Sequence, residues 1–178
     1  SRVTGEVSPK KDEGFIVSSV KGVSTSYASR TGFIVNLPTA LSKATEYILE
    51  FDALIEQSQQ GVATNGFAIV GNNGTIATVW AGNNVNQICS GESLDSVLAS
   101  GFTVTDRTTD PQKAENCTWH HVVLRGNVNG LYMSVDNLTA STIILHDASI
   151  GDYDTPKQIA FVLAMSNSAR TAYAAIDN

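Results

Sequence analysis

The sequence is poor in charge, in cysteine and in long apolar runs, and each shortage removes a class of function. Only 16% of its 178 residues are charged, and the balance is acidic, with a formal net charge of −6. A nucleic-acid binder, or a protein held on an anionic membrane, needs a basic surface. Nucleic acid and membrane surfaces are therefore not expected partners. No apolar run approaches the roughly 20 residues of a membrane-spanning helix, so membrane insertion is not expected either. The two cysteines, Cys89 and Cys117, lie too far apart to suggest a zinc site. No Gly-x-Ser-x-Gly accompanies His120 and His121, which leaves a serine nucleophile without support. No long amphipathic helix is apparent.

What the chain has is short alternating runs separated by turn signals, with 14 glycines. That pattern fits an all-β, two-sheet antiparallel sandwich, in a secreted or cell-surface setting. In such a setting Cys89 and Cys117 are expected to form a disulfide. Three Asn-x-Ser/Thr sequons, at Asn73, Asn116 and Asn137, read mainly as turn chemistry.

The clearest stretch is residues 118–137. Two apolar runs flank Asn127-Val128-Asn129-Gly130, and Asn-Gly is a strong hairpin signal. Leu131, Met133 and Val135 alternate with Tyr132, Ser134 and Asp136, the period of a half-buried strand. A turn at 127–130 sets Arg125 opposite Tyr132 and His121 opposite Asp136. Val122, Leu124, Met133 and Val135 then face the core, with His120 buried on the same side.

Other strands are expected over 14–17, 32–37, 47–55, 66–71, 76–81, 97–104, 142–145, 157–165 and 173–177, with one helical turn within 39–45. Residues 82–96 read as a long Asn-rich loop. The run 157–165 reads as a strand buried on both faces. In the 66–81 hairpin, a turn centred on Asn73-Gly74 pairs Phe67 with Trp80 and Ile69 with Thr78.

Trp119-His120-His121-Val122-Val123-Leu124, its turn, and Leu131-Tyr132-Met133-Ser134-Val135-Asp136-Asn137 resemble the concanavalin A-like jelly rolls, especially laminin-G-like and glycan-binding members. Residues 47–55 and 173–178 fit the same resemblance, which spans roughly 45–178. It implies one jelly-roll domain over 1–178 and a carbohydrate-binding, lectin-like role. Its ligand would be a polysaccharide or glycan. The abrupt end at Asn178 reads as that of a module joined to other domains of a larger parent protein.

Candidate ligand residues are Trp80, with Phe67 as a platform, and Tyr132 beside Arg125, with His121, Asp52 and Asn84 supplying polar contacts. Aromatic faces stack on the C–H faces of sugar rings, and polar side chains take the hydroxyls. Glycan-binding jelly rolls often hold a structural calcium, and the resemblance suggests Asp177, with Glu13 as partner. Glu50 and Asp52 share one strand face, as a glycosidase pair could. The jelly-roll glucanase pattern Glu-x-Asp-x-x-Glu, however, needs an acid where this chain has Ile55. A noncatalytic module is therefore preferred over a hydrolase or lyase, with a protein-binding adhesion or assembly domain as the rival class.

Overall fold

The computed structural model describes residues 2–4, 14–21, 29–37, 41–55, 65–82, 85–92, 96–100, 119–135, 143–147, 153–165 and 171–177. These residues form thirteen strands. In chain order they are β1 (Arg2–Thr4), β2 (Gly14–Lys21), β3 (Ser29–Asn36), β4 (Tyr47–Ile55), β5 (Asn65–Val70), β6 (Thr75–Gly82) and β7 (Val85–Ser90). They continue as β8 (Val97–Ser100), β9 (Trp119–Asn127), β10 (Gly130–Val135), β11 (Ile143–Asp147), β12 (Gln158–Met165) and β13 (Thr171–Asp177). A seven-stranded sheet has the order β1-β2-β13-β4-β9-β10-β11, and a six-stranded sheet the order β3-β12-β5-β6-β7-β8. All pairings are antiparallel. The all-β sandwich expected from the sequence is the observed architecture.

The core lies between the sheets. Phe33 stacks on Phe161 at 4.6 Å, Phe161 meets Phe67 at 5.4 Å, and Phe67 meets Phe51 edge-on at 5.6 Å. Phe51 belongs to the larger sheet and Phe67 to the smaller, so this aromatic chain joins the two layers in geometries that suit the ring quadrupoles. On β9, His120, Val122, Leu124 and Gly126 point inward and are buried. Gly126 has no side chain because the Tyr47 ring fills the space: a Cβ there would lie 2.2 Å from the ring's Cζ.

Four expectations change. First, the β5–β6 hairpin slips by one residue. Phe67 pairs with Val79, and Trp80 pairs with Gly66. The loop closes through a Gly71 N–H bond to the Gly74 carbonyl at 2.8 Å, and an irregularity between Ile69 and Val70 shifts the register. A one-residue slip exchanges the faces of a strand, so Phe67 is core and Trp80 faces outward. Second, part of the expected loop at 82–96 is β7, which pairs with β6 and supplies the buried Ile88 and Cys89. Third, residues 41–46 contain a turn closed by Thr45 N–H to the Ser42 carbonyl, with no helix there. Fourth, β12 is buried on one face only: Phe161 is core, whereas Val162 is 40% exposed.

Candidate functional site

The outer face of the seven-stranded sheet collects the side chains that alternate away from the core. Its rows follow from the registers. Ile48, Arg125, Tyr132 and Ile144 form one row across β4, β9, β10 and β11, and Glu50, Val123 and Ser134 form the next. Asp177, Asp52 and His121 form a third across β13, β4 and β9. The face expected to carry Arg125, Tyr132, His121 and Asp52 is therefore assembled, and its order is set by β4 lying against β9.

A recess of about 350 Å³ opens over the first two rows, lined by Val123, Arg125, Asn127, Asn129, Tyr132 and Ser134. Its aromatic wall is fixed by the hairpin turn. The Tyr132 hydroxyl donates to the Asn129 carbonyl at 3.2 Å, and the Asn129 N–H donates to the Asn127 side-chain oxygen at 2.8 Å. The second bond is the local Asn-to-backbone contact that favours turns. Arg125 Nη2 donates to Glu46 Oε2 at 2.9 Å. That hydrogen bond and the guanidinium charge hold the Glu46 carboxyl below its ordinary value, and the same contact raises Arg125. Both side chains are substantially exposed, so the pair orients Arg125 more than it stabilises the fold. The sequence holds no local sign of Glu46's role. It lies two residues before Ile48, the cross-strand neighbour of Arg125, and only the β4–β9 pairing brings it there.

In the third row, His121 Nδ1 lies 2.9 Å from Asp52 Oδ1. The hairpin pattern alone points to Asp136 as the partner of His121. Asp136 lies outside the described residues, and the observed partner comes from the neighbouring β4. Asp177 is 3% exposed and in register with Asp52. Calcium takes six to eight oxygen ligands. Among the described residues, no group of three or more His, Cys, Asp or Glu could hold a metal. Glu13, the suggested partner, lies outside the described residues.

Trp80 is on the other sheet. It is half-buried on the outer face of the six-stranded sheet, beside Gly66 on β5 and Gln87 on β7. Its Nε1 is buried and has no acceptor among the described residues. Trp80 and Tyr132 therefore cannot share one binding face, and Phe67, at 1% exposure, is no platform beside Trp80. Asn84 lies outside the described residues. The expected Cys89–Cys117 bridge is not formed: Cys89, wholly buried on β7, is not in a disulfide, and Cys117 lies outside the described residues.

No family model and no curated protein matches the chain. Among solved structures it is similar to a glycoside hydrolase family 16 endo-glucanase from Bacteroides ovatus in complex with G4G3G-2F-DNP. The identity is 14% and the TM-score 0.43, over 92% of this chain and 78% of that one.

Proposed function

We propose that the chain is a noncatalytic carbohydrate-binding module, lectin-like in action, working at the cell surface or after secretion. The observation that carries this reading is the recess over Arg125 and Tyr132. A sugar ring offers an apolar C–H face and an edge of hydroxyls. Tyr132 offers an aromatic side chain whose hydroxyl is already tied to the Asn129 carbonyl, so little freedom is lost on binding. Arg125 carries five N–H donors, and the Glu46 contact at Nη2 leaves others for ligand oxygens. Ser134, Asn127 and Asn129 add neutral donors and acceptors along the same wall. Ile48 and Ile144, each 54% exposed, extend the row on either side. Four strands at the usual spacing make that row about 15 Å wide, enough for more than one ring.

The noncatalytic part of the reading rests on the carboxylates. Glycoside hydrolysis needs two carboxyl groups flanking one bond. Glu50 shares the recess's second row but does not line it, and Asp52 lies a row further and is bound to His121.

The test is a glycan array followed by calorimetry on the hits. Tyr132→Ala should lose roughly 1–3 kcal/mol of affinity, the cost of removing an aromatic anchor, with an unchanged melting temperature. Trp80→Ala should bind like wild type. Binding lost with Trp80→Ala and kept with Tyr132→Ala would move the ligand to the six-stranded sheet and refute the assignment. Release of reducing sugar from an array hit would refute the noncatalytic reading. Capture of a protein partner with no glycan hit would favour an adhesion domain.

A further inference from the structure

A second cavity, of about 300 Å³, lies at one end of the sandwich, away from the Tyr132 face and beside the Asn73-Gly74 turn. It is built from four separate segments: the turn between β5 and β6 with the start of β6, the end of β7, β11, and the segment leading into β12. Leu145 and Tyr153 in its lining are 8% and 5% exposed and provide apolar surface. Thr75, Ser90, His146 and Asp154 supply polar groups around it.

The walls are fixed by bonds made within the chain. Asp154 accepts the Asn73 N–H through Oδ2 at 2.6 Å, and Oδ1 lies 3.5 Å from Asn72 Nδ2. The carboxylate sits against Gly71, where a Cβ would approach Oδ2 to 2.2 Å, so a larger residue would displace it. The Tyr153 ring is held by Lys43, whose Nζ lies 5.0 Å from the ring centroid and donates to the Tyr153 carbonyl at 2.6 Å. The Tyr153 hydroxyl donates to the Asn127 carbonyl at 3.0 Å. The His146 ring lies 5.7 Å from the Tyr153 ring. Thr75 donates its hydroxyl to Glu92 at 2.8 Å, which turns its remaining lone pairs into acceptors.

We infer that this cleft is a second binding site, for a single neutral sugar residue. The class of ligand rests on the carbohydrate reading; the location does not. The volume is at the lower limit of ligand pockets, which suits one ring and excludes a long segment. A mostly polar lining of hydroxyl, amide and carboxylate groups with a small apolar part from Leu145 and Tyr153 suits a polyol that has one C–H face. A carboxylate has about four lone-pair sites, and the two turn contacts leave others to accept ligand hydroxyls. The fixed charges at or beside the cleft select against acids. Asp154 lines it and Glu92 adjoins Thr75, two carboxylates against the one nearby ammonium, Lys43, which does not line it and donates to the Tyr153 carbonyl. A uronate carboxylate would meet like charge at short range. The Tyr153–Asn127 bond also joins the two sites, because Tyr153 lines the cleft and Asn127 lines the recess over Tyr132.

The experiment is a titration of the labelled protein, followed by backbone amide NMR at neutral pH. The probes are the methyl glycosides of glucose, galactose and mannose, with glucuronate as the anionic counterpart. The expected result is saturable shifts at Asn73, Thr75, Ser90, His146 and Asp154 with at least one neutral glycoside, and weaker shifts with glucuronate. Ser90 is exposed at the end of β7, so Ser90→Trp should fill the cleft without disturbing the core and weaken those shifts at least about tenfold in affinity. Wild-type mapping stands as a test by itself if that variant misfolds. Shifts confined to Arg125 and Tyr132 would overturn the second site and leave the carbohydrate reading intact. No saturable shift with any probe would overturn it as well, with the glycan array then deciding the wider reading. Glucuronate binding equal to or tighter than the neutral glycosides would refute the assigned ligand class.

Discussion

Leu124 and Arg125 are adjacent on β9 and point to opposite faces, so truncating each measures what the two faces contribute. Leu124 is fully buried and lies in register between Leu49 on β4 and Met133 on β10. Leu124→Ala removes its transfer free energy and leaves a cavity, together about 2–5 kcal/mol. The cost should fall in the upper half of that range. β9 is hydrogen-bonded on both sides, and its backbone cannot move inward to close the gap without breaking a ladder. Arg125 has a side chain 55% exposed, and its partner Glu46 is 44% exposed. A solvated pair of this kind contributes little to stability, so Arg125→Ala should move the midpoint far less than Leu124→Ala. Urea melts with a common m-value convert the two midpoints directly into this difference. Equal losses would refute the assignment of β9's faces, and with it the placing of Arg125 on a ligand face.

A further outcome concerns Tyr47. Burial, with the neighbouring Tyr153 hydroxyl, raises Tyr47 well above the ordinary tyrosine value. Its neutral form is therefore favoured by folding. That contribution is complete below about pH 10, where the unfolded side chain titrates, and is lost as the pH rises further, by up to about 1.4 kcal/mol per pH unit. Denaturant melts through the alkaline range should show this slope in wild type and a shallower one in Tyr47→Phe; identical slopes would refute the burial argument.

How much is legible in the sequence depends on how local each determinant is. The β9–β10 hairpin is readable because everything that fixes it lies within one stretch: an Asn-Gly turn and clean alternation on both arms. Its pairing of Arg125 with Tyr132 is as expected. The His121 partner is not readable, because β4 lies some 70 residues away and its position against β9 is a tertiary fact. β7 is hidden by Asn86 and Gln87, which read as loop residues; its pairing with β6 satisfies the backbone there and buries Ile88. β12 reads as buried on both faces because Ala160 and Val162 are apolar, although the smaller sheet leaves Val162 exposed. The cleft at the sandwich end is not legible as a site, since beyond the Asn73-Gly74 turn its polar groups come from separate segments.

The β5–β6 hairpin is the case where a local rule gives the wrong face, and it can be tested by stability alone. Its turn is held by Asp154, 81 residues from Asn73, and the irregularity at Ile69/Val70 shifts the pairing. The consequence is that Phe67 and Trp80 have opposite fates. Phe67 is 1% exposed and touches both Phe51 and Phe161. Phe67→Ala should cost about 3–5 kcal/mol, as a core aromatic does. Trp80 is only half-buried, and its Nε1 is buried without an acceptor among the described residues. An unsatisfied buried donor carries a penalty of about 1–3 kcal/mol. Relief of that penalty offsets part of the apolar packing that the indole provides. Trp80→Ala should therefore cost clearly less than Phe67→Ala despite deleting the larger side chain. Paired denaturant melts decide the matter. If Trp80→Ala is as destabilising as Phe67→Ala, Trp80 is a core residue, the hairpin has the register read from its turn, and the outer face of the six-stranded sheet loses its one indole.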